Sequence, residues 1–449
     1  MAKAFDLVVI GTGTAAATAA NRCANAGWRV AVIDHLPYGG TCALRGCDPK
    51  KVLVGIAEAL DAARRMRGKG LAGGEPSIDW RALMDFKRSF TERIPSMMEQ
   101  SFQKNGMETY HGCARFVGPH SVEVAGEMLD GRFVLIATGA EPVKLGIPGE
   151  EHLITSTEFL ELSELPDRIV LVGGGYIAAE FSHIAARAGA KVTVLQRGER
   201  MLKPFDADVV AWLTEKSRDI GIDVRLKTRV ERIEKTSGGF AVHATVEGKA
   251  ERFSGDLVVH AAGRVPNLDS LGLHAAGVET ENGRLKLNDY LQSVSNLAAY
   301  GAGDAAAKGP PLTPVSAHDG RVASANMLKG NHRKPNYLGV PSVAFTIPPI
   351  AAVGLTEEQA RAQRFRFRTE SGKASDWYTA RRVAEPTYGF KVLIEEDTDR
   401  ILGAHLVGPH VDEVINVFAL AIRWGRTAKE LQDAVFAYPT GASDIGYML

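Results

Sequence analysis

Cys42 and Cys47, five positions apart, are the residues of this sequence whose type and spacing most clearly suit chemistry. A glycine pair precedes them, and a proline and two lysines, beginning with Lys50, follow. The two cysteines could close a small disulfide loop at the start of a helix, where adjacent positive charge favours the reactive thiolate. A structural disulfide and a zinc half-site are the alternatives. Zinc fits poorly, because no further Cys or His stands nearby at ligand spacing.

The composition is that of a globular protein with several domains. The chain has 449 residues, of which 45% are hydrophobic and 24% charged, and its formal net charge is zero. We therefore expect two or three domains, with neither nucleic acid nor a membrane as a partner. Because no apolar stretch approaches the roughly 20 residues that span a bilayer, we expect a cytoplasmic protein. The remaining cysteines, Cys23 and Cys113, are expected to be small buried residues.

A dinucleotide-binding unit is indicated near the N-terminus. The apolar run 5–10 is typical of a buried parallel strand, and a G-x-G-x-x-A turn with Gly11, Gly13 and Ala16 follows it. The first glycine permits the tight turn, the second lets a pyrophosphate approach, and the alanine lets the next helix pack closely. A second strand ends in Asp34, where a carboxylate can accept hydrogen bonds from a ribose hydroxyl. Strand, turn, helix and acid together predict a dinucleotide site.

The same pattern returns in the middle of the chain. Strand 168–172 leads into a second G-x-G-x-x-A turn that contains Gly173 and Gly175. Strand 191–195 ends at Gln196, although an acid is expected there when the ribose carries a free 2′-hydroxyl. The cations that follow instead are Arg197, Arg200 and Lys203. They favour a 2′-phosphate and therefore NADPH; a solvated charged loop is the alternative.

Taken together, these motifs resemble the flavin-dependent pyridine nucleotide–disulfide oxidoreductases, the family of glutathione reductase, dihydrolipoamide dehydrogenase and mercuric reductase. The resemblance implies an α/β fold with Rossmann-like domains for FAD and NADPH and a C-terminal α+β dimerisation domain. The implied boundaries are 1–150 and 266–335 for FAD, 151–265 for NAD(P)H and 336–449 for dimerisation. It also implies a homodimeric enzyme that passes electrons from NADPH through FAD to a Cys42–Cys47 disulfide and on to a small-molecule acceptor.

The resemblance assigns roles to individual residues. Cys42 is implied to be the outer, substrate-attacking thiol and Cys47 the thiol against the flavin, while Lys50 pairs with Glu180. Tyr176 is implied to cover the nicotinamide pocket. The other residues implied to contact FAD are Gly11, Gly13, Ala16, Asp34, Thr41, Thr138, Gly139 and Asp304. Those implied to contact the nicotinamide coenzyme, besides Tyr176, are Gly173, Gly175, Arg197, Lys203 and Gly263. A helix after residues 312–314 is expected to point its N-terminus at the flavin.

The C-terminal end departs from the family pattern. In the glutathione and lipoamide enzymes a His-Pro-Thr segment, with a glutamate five residues past the histidine, supplies the acid and base for the thiols from the partner subunit. Here Tyr438 replaces the histidine and Ser443 replaces the glutamate. A phenol with an ordinary pKa near 10 is a poor base at neutral pH. Among disulfides, metal ions and reactive oxidants, acceptors that need little proton removal are therefore favoured.

Two other functions remain open at this stage. A flavin-level reductase of quinones or oxidants would not need the cysteines. A non-catalytic, redox-sensing flavoprotein could have kept the fold after losing the His–Glu pair. No resident metal ion is expected in any of these cases.

Overall fold

The computed structural model describes residues 2–449, which divide into two compact units. The first unit takes the chain up to residue 50 together with 86–143 and 264–337. The second takes 51–85, 144–263 and 338–449. The predicted domain boundaries at 150, 265 and 335 divide the chain more finely and stay a prediction.

The first unit is built on a mostly parallel sheet. Its central strand Lys3–Ile10 pairs in parallel with Val30–Asp34 on one side and with Glu127–Ile136 on the other. Parallel strands are covered on both faces, which is why these strands read as continuous apolar runs in the sequence. The remaining strands of the sheet are Glu108–His111, Arg115–Phe116, Ser121–Val124 and Ala299–Gly301. Shorter strand pairs of this unit are Ala140–Pro142 with Arg264–Pro266, and Thr280–Glu281 with Arg284–Leu285.

Two helices of the first unit cross at close range. Thr14–Asn25 starts at the end of the first glycine turn and packs against Thr313–Lys329. A Cβ atom on Gly320 would lie 2.5 Å from the Ala15 carbonyl oxygen, so only glycine allows this crossing. Other helices with residues in this unit are Gly40–Arg45, Cys47–Met66, Trp80–Thr91 and Ile94–Lys104, with the short 3-10 turns Asp269–Leu271 and Gly303–Ala305.

The second unit contains another parallel sheet. Arg168–Val172 pairs in parallel with Lys191–Leu195 and with Leu257–His260, and Asp223–Arg225 lies beyond Lys191–Leu195. Helix Tyr176–Arg187 follows the second glycine turn, and helix Ala207–Asp219 follows the cation-rich loop. An antiparallel sheet is formed by Thr228–Thr236, Gly239–Val246 and Lys249–Gly255. Short helical turns occupy Glu150–His152 and Ser156–Phe159.

The C-terminal part of the second unit is an antiparallel sheet with a helix packed on it. The sheet has the strands Ser342–Ala344, Ile350–Gly354, Phe367–Lys373, Gly389–Glu395 and Ile401–Val407. Helix Val411–Arg423 covers it with a buried apolar face. The remaining helices are Glu357–Ala362, Tyr378–Arg381, Ala428–Gln432 and the 3-10 segment Gly441–Tyr447. The predicted α/β class is therefore confirmed.

The cysteine-bearing helix Cys47–Met66 is fixed at its far end by buried charge. Asp61 accepts hydrogen bonds from Arg187 at 3.0 Å and from Arg65 at 2.8 Å. The Arg187 side chain is almost fully buried. Removing one partner of a buried ion pair leaves an uncompensated charge, so this anchor strongly favours one helix position.

The prediction for the two outlying cysteines is half right. Cys23 is fully buried in helix Thr14–Asn25. Cys113 is exposed, because it lies in the turn between strands Glu108–His111 and Arg115–Phe116 rather than in either strand. Within residues 2–449, no helix combines the length and apolar character needed to cross a membrane.

Gly13 and Gly40 approach each other closely and hold the cysteine segment against the first glycine turn. A Cβ atom on Gly40 would lie 2.3 Å from the Gly13 Cα atom, and Gly40 has a φ of +71°. Gly40→Ala should therefore add a steric clash of about 1–3 kcal/mol to the cost of a left-handed alanine. We expect a clearly lower midpoint of thermal unfolding by circular dichroism.

Gly106→Ala is the matched control for that experiment. Gly106 has a similar φ of +77°, but nothing lies within 4 Å of its would-be Cβ atom. It should show only the backbone cost of about 1 kcal/mol. Equal midpoints for the two variants would contradict the close approach of Gly13 and Gly40.

Candidate active site

The cysteine segment folds as two successive helices. Helix Gly40–Arg45 carries Cys42, and helix Cys47–Met66 starts at Cys47. The link between them is tight, since a Cβ atom on Gly46 would lie 2.9 Å from the Thr41 carbonyl oxygen. Both cysteines are free thiols, and their side chains are in hydrogen-bonding contact. The two sulfur atoms therefore lie together beside a helix N-terminus.

The two thiols differ in acidity. The pKa of Cys47 is lowered to about 6, chiefly by a hydrogen bond from Cys42 and further by Thr313 and Lys50, whereas burial and Asp48 oppose the shift. The pKa of Cys42 is strongly raised, chiefly by its hydrogen bond to Cys47 and by burial. At neutral pH Cys47 is thus the thiolate, and the remaining proton of the pair resides on Cys42.

Thr313 is a site residue to which the sequence analysis gave no role. Its hydroxyl lies 3.3 Å from the Cys47 sulfur atom. Thr313 is also the first residue of helix Thr313–Lys329, so the helix predicted after residues 312–314 exists but begins within that segment. A hydroxyl donor at a helix N-terminus stabilises a nearby anion, here the Cys47 thiolate.

The first glycine turn is shaped for a dinucleotide. Gly11 has a φ of +111°, and a Cβ atom there would lie 2.3 Å from the Ala137 carbonyl oxygen. Ala16 is fully buried in the helix that follows Gly13. Gly13 is the N-cap of that helix and puts no side chain at its start, where backbone amides are available to a phosphate. These residues fit a dinucleotide such as FAD.

Thr12 connects the first glycine turn to Asp34, the acid expected to bind a ribose, and to the cysteine segment. Its amide and hydroxyl donate to one Asp34 carboxylate oxygen at 3.0 and 2.6 Å. The Gly39 amide in turn donates to the Thr12 hydroxyl at 3.2 Å. Asp34 is held in place by these bonds and by the Leu36 amide. The sequence pattern treats position 12 as variable, so only the fold shows this role.

The other residues implied to contact FAD lie in the same unit. Thr41 is exposed at the start of helix Gly40–Arg45, and Gly139 has a φ of +70°. The Thr138 hydroxyl donates a hydrogen bond to the Asn267 carbonyl at 2.6 Å. This bond connects the chain just before strand Ala140–Pro142 to the chain just after strand Arg264–Pro266. Burial raises the pKa of Asp304, and the charge of Arg264 opposes that rise.

Asp319 supports the turn that carries Asp304. It is fully buried and accepts hydrogen bonds from the Gly303 amide at 3.2 Å and from the Tyr337 hydroxyl at 2.8 Å. Burial is the largest cause that raises the pKa of Asp319 to about 6. The sequence analysis missed Asp319, because a lone aspartate inside a helix carries no motif.

The second glycine turn repeats the geometry of the first. Gly173 has a φ of +121°, and a Cβ atom there would lie 2.1 Å from the Ala261 carbonyl oxygen. The Gln196 side chain lies against this turn, since a Cβ atom on Gly174 would be 2.9 Å from its Cγ and Cδ atoms. Gly175 directly precedes helix Tyr176–Arg187, and Gly263 ends the segment 144–263.

The cations beyond Gln196 are not equivalent. Arg200 forms an ion pair with Glu358 at 2.9 Å, and its carbonyl accepts a hydrogen bond from the Gln196 amide at 3.0 Å. Arg197 is exposed and has neither an ion pair nor a hydrogen bond with any residue that the structure describes. The Lys203 side chain is exposed as well. Arg197 and Lys203 therefore carry charge at the surface, whereas the charge of Arg200 is paired with that of Glu358.

Glu180 and Tyr176 are held by backbone and side-chain contacts. Glu180 is buried and accepts a hydrogen bond from the Phe345 amide at 2.8 Å. The Tyr176 ring lies edge-on to Phe205, with centroids 5.5 Å apart. Burial raises the pKa of Tyr176, whose hydroxyl is hydrogen-bonded to Ser342. Lys50 is buried in the first turn of helix Cys47–Met66.

The C-terminal segment presents a phenol but no base. Tyr438 is 78% exposed. The Ser443 hydroxyl donates to the Thr440 carbonyl at 2.6 Å and accepts from the Thr440 amide at 3.3 Å, so it caps its own helical turn. The next residue, Asp444, is buried and accepts a hydrogen bond from the Tyr388 hydroxyl at 2.8 Å. Asp444 therefore does not replace the missing glutamate.

Comparison with known proteins assigns the family. The pyridine nucleotide-disulphide oxidoreductase model matches residues 5–320, and the dimerisation domain of the same family matches residues 340–448. The chain therefore belongs to the pyridine nucleotide-disulphide oxidoreductases. Members of this family are FAD-dependent and use pyridine nucleotides. The predicted family, and the fold class with a C-terminal dimerisation domain, are confirmed.

Individual relatives cover nearly the whole chain. It is 34% identical over 445 residues to mercuric reductase from Bacillus cereus, which covers 98% of this chain and 70% of that protein. It is 32% identical over 441 residues to glutathione reductase from Burkholderia cepacia, with 98% and 97% covered. Among solved structures, the HOCl-induced flavoprotein disulfide reductase RclA from Escherichia coli, in its Cu(II) complex, is 28% identical with a TM-score of 0.88 and covers 99% of each chain. These relatives establish an oxidoreductase of the disulfide reductase type.

The low pKa of Cys47 predicts a pH-dependent reactivity. Since the folded state favours the thiolate, the alkylation rate by iodoacetamide should rise with pH through a midpoint near 6 in protein reduced with dithiothreitol. Thr313→Val removes one stabilising hydrogen bond and should move this midpoint upward by roughly one pH unit. Thr313→Ser keeps the hydroxyl and is the control, and a Cys113→Ser background removes the exposed cysteine. Identical midpoints in the two Thr313 variants would contradict the role of the hydroxyl.

Proposed function

We propose that the protein is an NADPH-dependent flavoprotein oxidoreductase that reduces a small-molecule acceptor at Cys42 and Cys47. The observation that carries this proposal is the contact between a protonated thiol and a low-pKa thiolate, supported by Thr313. Such a pair is the reactive form for disulfide exchange and for binding thiophilic metal ions.

The first unit supplies the residues that would hold FAD. The first glycine turn with Gly11, Gly13 and Ala16 would take the pyrophosphate, and Asp34 would take the adenine ribose. Thr41, Thr138, Gly139 and Asp304 complete the proposed FAD residues. When bound, FAD would carry electrons from the nicotinamide to the cysteine pair. We assign Lys50 and Glu180 the charge-tuning role that they have by resemblance.

The cysteine pair exchanges two electrons per turnover. When the Cys42 thiol and the Cys47 thiolate close to a disulfide, they give up two electrons and one proton. Together with one proton from solvent these reduce one disulfide acceptor to two thiols; with a metal acceptor, two Cu(II) ions become two Cu(I) ions and the single proton goes to solvent. A hydride equivalent from NADPH restores the thiol and the thiolate, which closes the balance.

The surroundings favour acceptors that require no strong base. Ser443 is bound within its own turn and Asp444 is buried against Tyr388, so neither of them provides a base, and of positions 438 and 443 only Tyr438 exposes its side chain to an acceptor. A phenol donates a hydrogen bond well but accepts a proton poorly near neutral pH. A metal ion or a reactive oxidant therefore suits the site better than glutathione disulfide. The mercuric reductases and the Cu(II) complex of RclA among the relatives support the same choice.

An acceptor panel with NADPH tests the proposal directly. We expect Cu(II), Hg(II) or hypochlorous acid to be reduced with a kcat/KM at least roughly tenfold above that for glutathione disulfide, coenzyme A disulfide or lipoamide. Turnover that survives Cys42→Ser and Cys47→Ser would instead identify a flavin-level reductase of quinones or oxidants. Absence of turnover with every acceptor would identify a redox-sensing flavoprotein.

A homodimer is the proposed assembly. Several large apolar side chains are exposed in the region that matches the dimerisation domain: Tyr378, Leu420, Trp424, Val435 and Tyr447. If they form one contiguous patch in the assembly, such a surface is typical of a protein interface, and a second copy of the chain would cover it. By resemblance, Tyr438 of one subunit then faces Cys42 of the other. The cytoplasmic location stays a prediction.

The coenzyme preference follows from Arg197 and Lys203. Because both cations are exposed and no acid follows Gln196, the site suits a 2′-phosphate. Arg197→Ala and Lys203→Ala should each raise the KM for NADPH about tenfold or more and leave that for NADH unchanged, since a charge-assisted hydrogen bond contributes about 1.5–3 kcal/mol. Arg200→Ala is the control, with a smaller effect because Glu358 balances its charge. Equal efficiency with NADH in the unaltered enzyme would contradict the NADPH proposal.

Tyr438 should matter for the acceptor half-reaction only. If its hydroxyl donates to the leaving thiolate or to an anionic acceptor, Tyr438→Phe should slow acceptor turnover at least roughly tenfold, about 1.4 kcal/mol of barrier. Reduction of the flavin by NADPH should be unaffected. Tyr447→Phe removes a comparably exposed phenol from the same segment and should leave both rates unchanged. An unaltered acceptor rate in Tyr438→Phe would show that the side chain only fills space.

A further inference from the structure

A carboxylate stands directly beside the cysteine pair. Asp48 is the second residue of helix Cys47–Met66 and is exposed. Its Oδ1 atom lies 4.0 Å from the Cys42 sulfur atom, at the outer limit for a weak S–H donor. Neither the sequence motifs nor the proposed function gives Asp48 a role.

Of the two charged side chains next to the cysteine pair, the anionic Asp48 is exposed to solvent and the cationic Lys50 is buried. The charges of Lys50 and Asp48 both act on Cys47, in opposite directions, and the negative charges of the Cys47 thiolate and of Asp48 both act on Cys42. Lys50 is buried, whereas Asp48 is exposed. An acceptor that comes from solvent to Cys42 therefore meets negative charge first.

We propose that Asp48 is a specificity-determining residue whose carboxylate favours cationic acceptors at Cys42 and disfavours anionic ones. The proposal deepens the proposed function, because it names the charge class of the acceptor: thiophilic metal cations and amine-bearing disulfides. It rests on the proposed function only in placing acceptor reduction at the cysteine pair. The field of Asp48 itself exists whether or not the enzyme turns over.

The size of the effect follows from Coulomb's law. In a water-like medium, a unit charge on the reagent about 5 Å from the Asp48 charge changes the rate of its encounter with Cys42 roughly threefold to fourfold relative to a neutral reagent. The rates of a singly positive and a singly negative reagent of equal chemistry should therefore differ about tenfold, and added salt should reduce the difference.

A second effect of Asp48 also favours metal cations over disulfides. Asp48 raises the pKa of both thiols, which disfavours attack on disulfides by free thiolate, whereas a thiophilic metal ion displaces the thiol proton itself.

A purely structural role for Asp48 makes a different prediction. A carboxylate in the first turn of a helix stabilises that helix through its dipole. Removing it would then lower stability and alter every reagent's rate alike. The ratio between a cationic and an anionic reagent separates the two roles, because changes in folding or in thiol pKa cancel in that ratio.

The experiment measures that ratio at Cys42 in the FAD-bound, dithiothreitol-reduced protein freed of reductant. Cys47→Ser and Cys113→Ser leave Cys42 as the accessible thiol, since Cys23 is buried. In that background the modification rates by a trimethylammonium and by a sulfonate methanethiosulfonate reagent are compared. We expect the ratio to fall about tenfold on Asp48→Asn, to stay within about twofold on Asp48→Glu, and to change little on Glu123→Gln, which removes one exposed carboxylate elsewhere in the same unit. An unchanged ratio in Asp48→Asn would overturn the proposal.

A turnover measurement extends the test to acceptors. With both cysteines present, Asp48→Asn should lower kcat/KM for Cu(II) and for cystamine about threefold or more, and raise it for 3,3′-dithiodipropionate. Changes of equal sign for all three acceptors would also overturn the proposal. If no acceptor is reduced by the unaltered enzyme while the reagent ratio still falls in Asp48→Asn, the proposed function fails and the charge selectivity of Asp48 stands.

Discussion

The contact between two glycine backbones sets the geometry of the first unit. Gly13 belongs to the nucleotide turn and Gly40 to the cysteine segment, and Gly40 has no room for a side chain, because its Cβ atom would lie 2.3 Å from the Gly13 Cα atom. Thr12 adds a hydrogen-bonded link by accepting from Gly39 and donating to Asp34. The nucleotide turn and the cysteine segment are thereby joined through backbone atoms, whose positions vary less than those of long side chains. The chemistry of the cysteines depends on this link, because it fixes where their helices begin.

From that link follows the unequal acidity of the two thiols. Cys47 sits at the start of its helix, close to the Thr313 hydroxyl and the Lys50 charge, whereas Cys42 lies in the preceding short helix. Thr313 lowers the pKa of both thiols, and the Lys50 charge further lowers that of Cys47. The proton shared by the two sulfur atoms therefore resides on Cys42. No additional base is needed to generate the Cys47 thiolate at neutral pH.

The sequence predicts the parts of this arrangement that depend on spacing, and misses those that depend on tertiary contacts. Two glycine turns, each after an apolar strand, were enough to indicate the parallel sheets, because close approach tolerates only glycine at such positions. Thr12, Thr313 and Asp319 could not be found in this way. Their neighbours are distant in the chain, and threonine and aspartate are ordinary residues at those positions. Cys113 was misjudged because cysteine is usually buried, whereas its place in a turn between strands exposes it.

The C-terminal segment shows why the change of two residues alters more than two side chains. Ser443, which occupies the position of the family's glutamate, caps the turn that begins at Thr440. Asp444 is buried and accepts a hydrogen bond from the Tyr388 hydroxyl. A histidine at position 438 alone would have no carboxylate to orient it. A glutamate at position 443 could keep the cap, because glutamate is a usual third residue of a capping box and can accept from the Thr440 amide. Reversion to an acid–base dyad therefore requires both changes and a glutamate side chain released from that cap. The present turn is a stable arrangement in which the side chain at position 443 is used for capping and no carboxylate stands there to orient a residue at position 438.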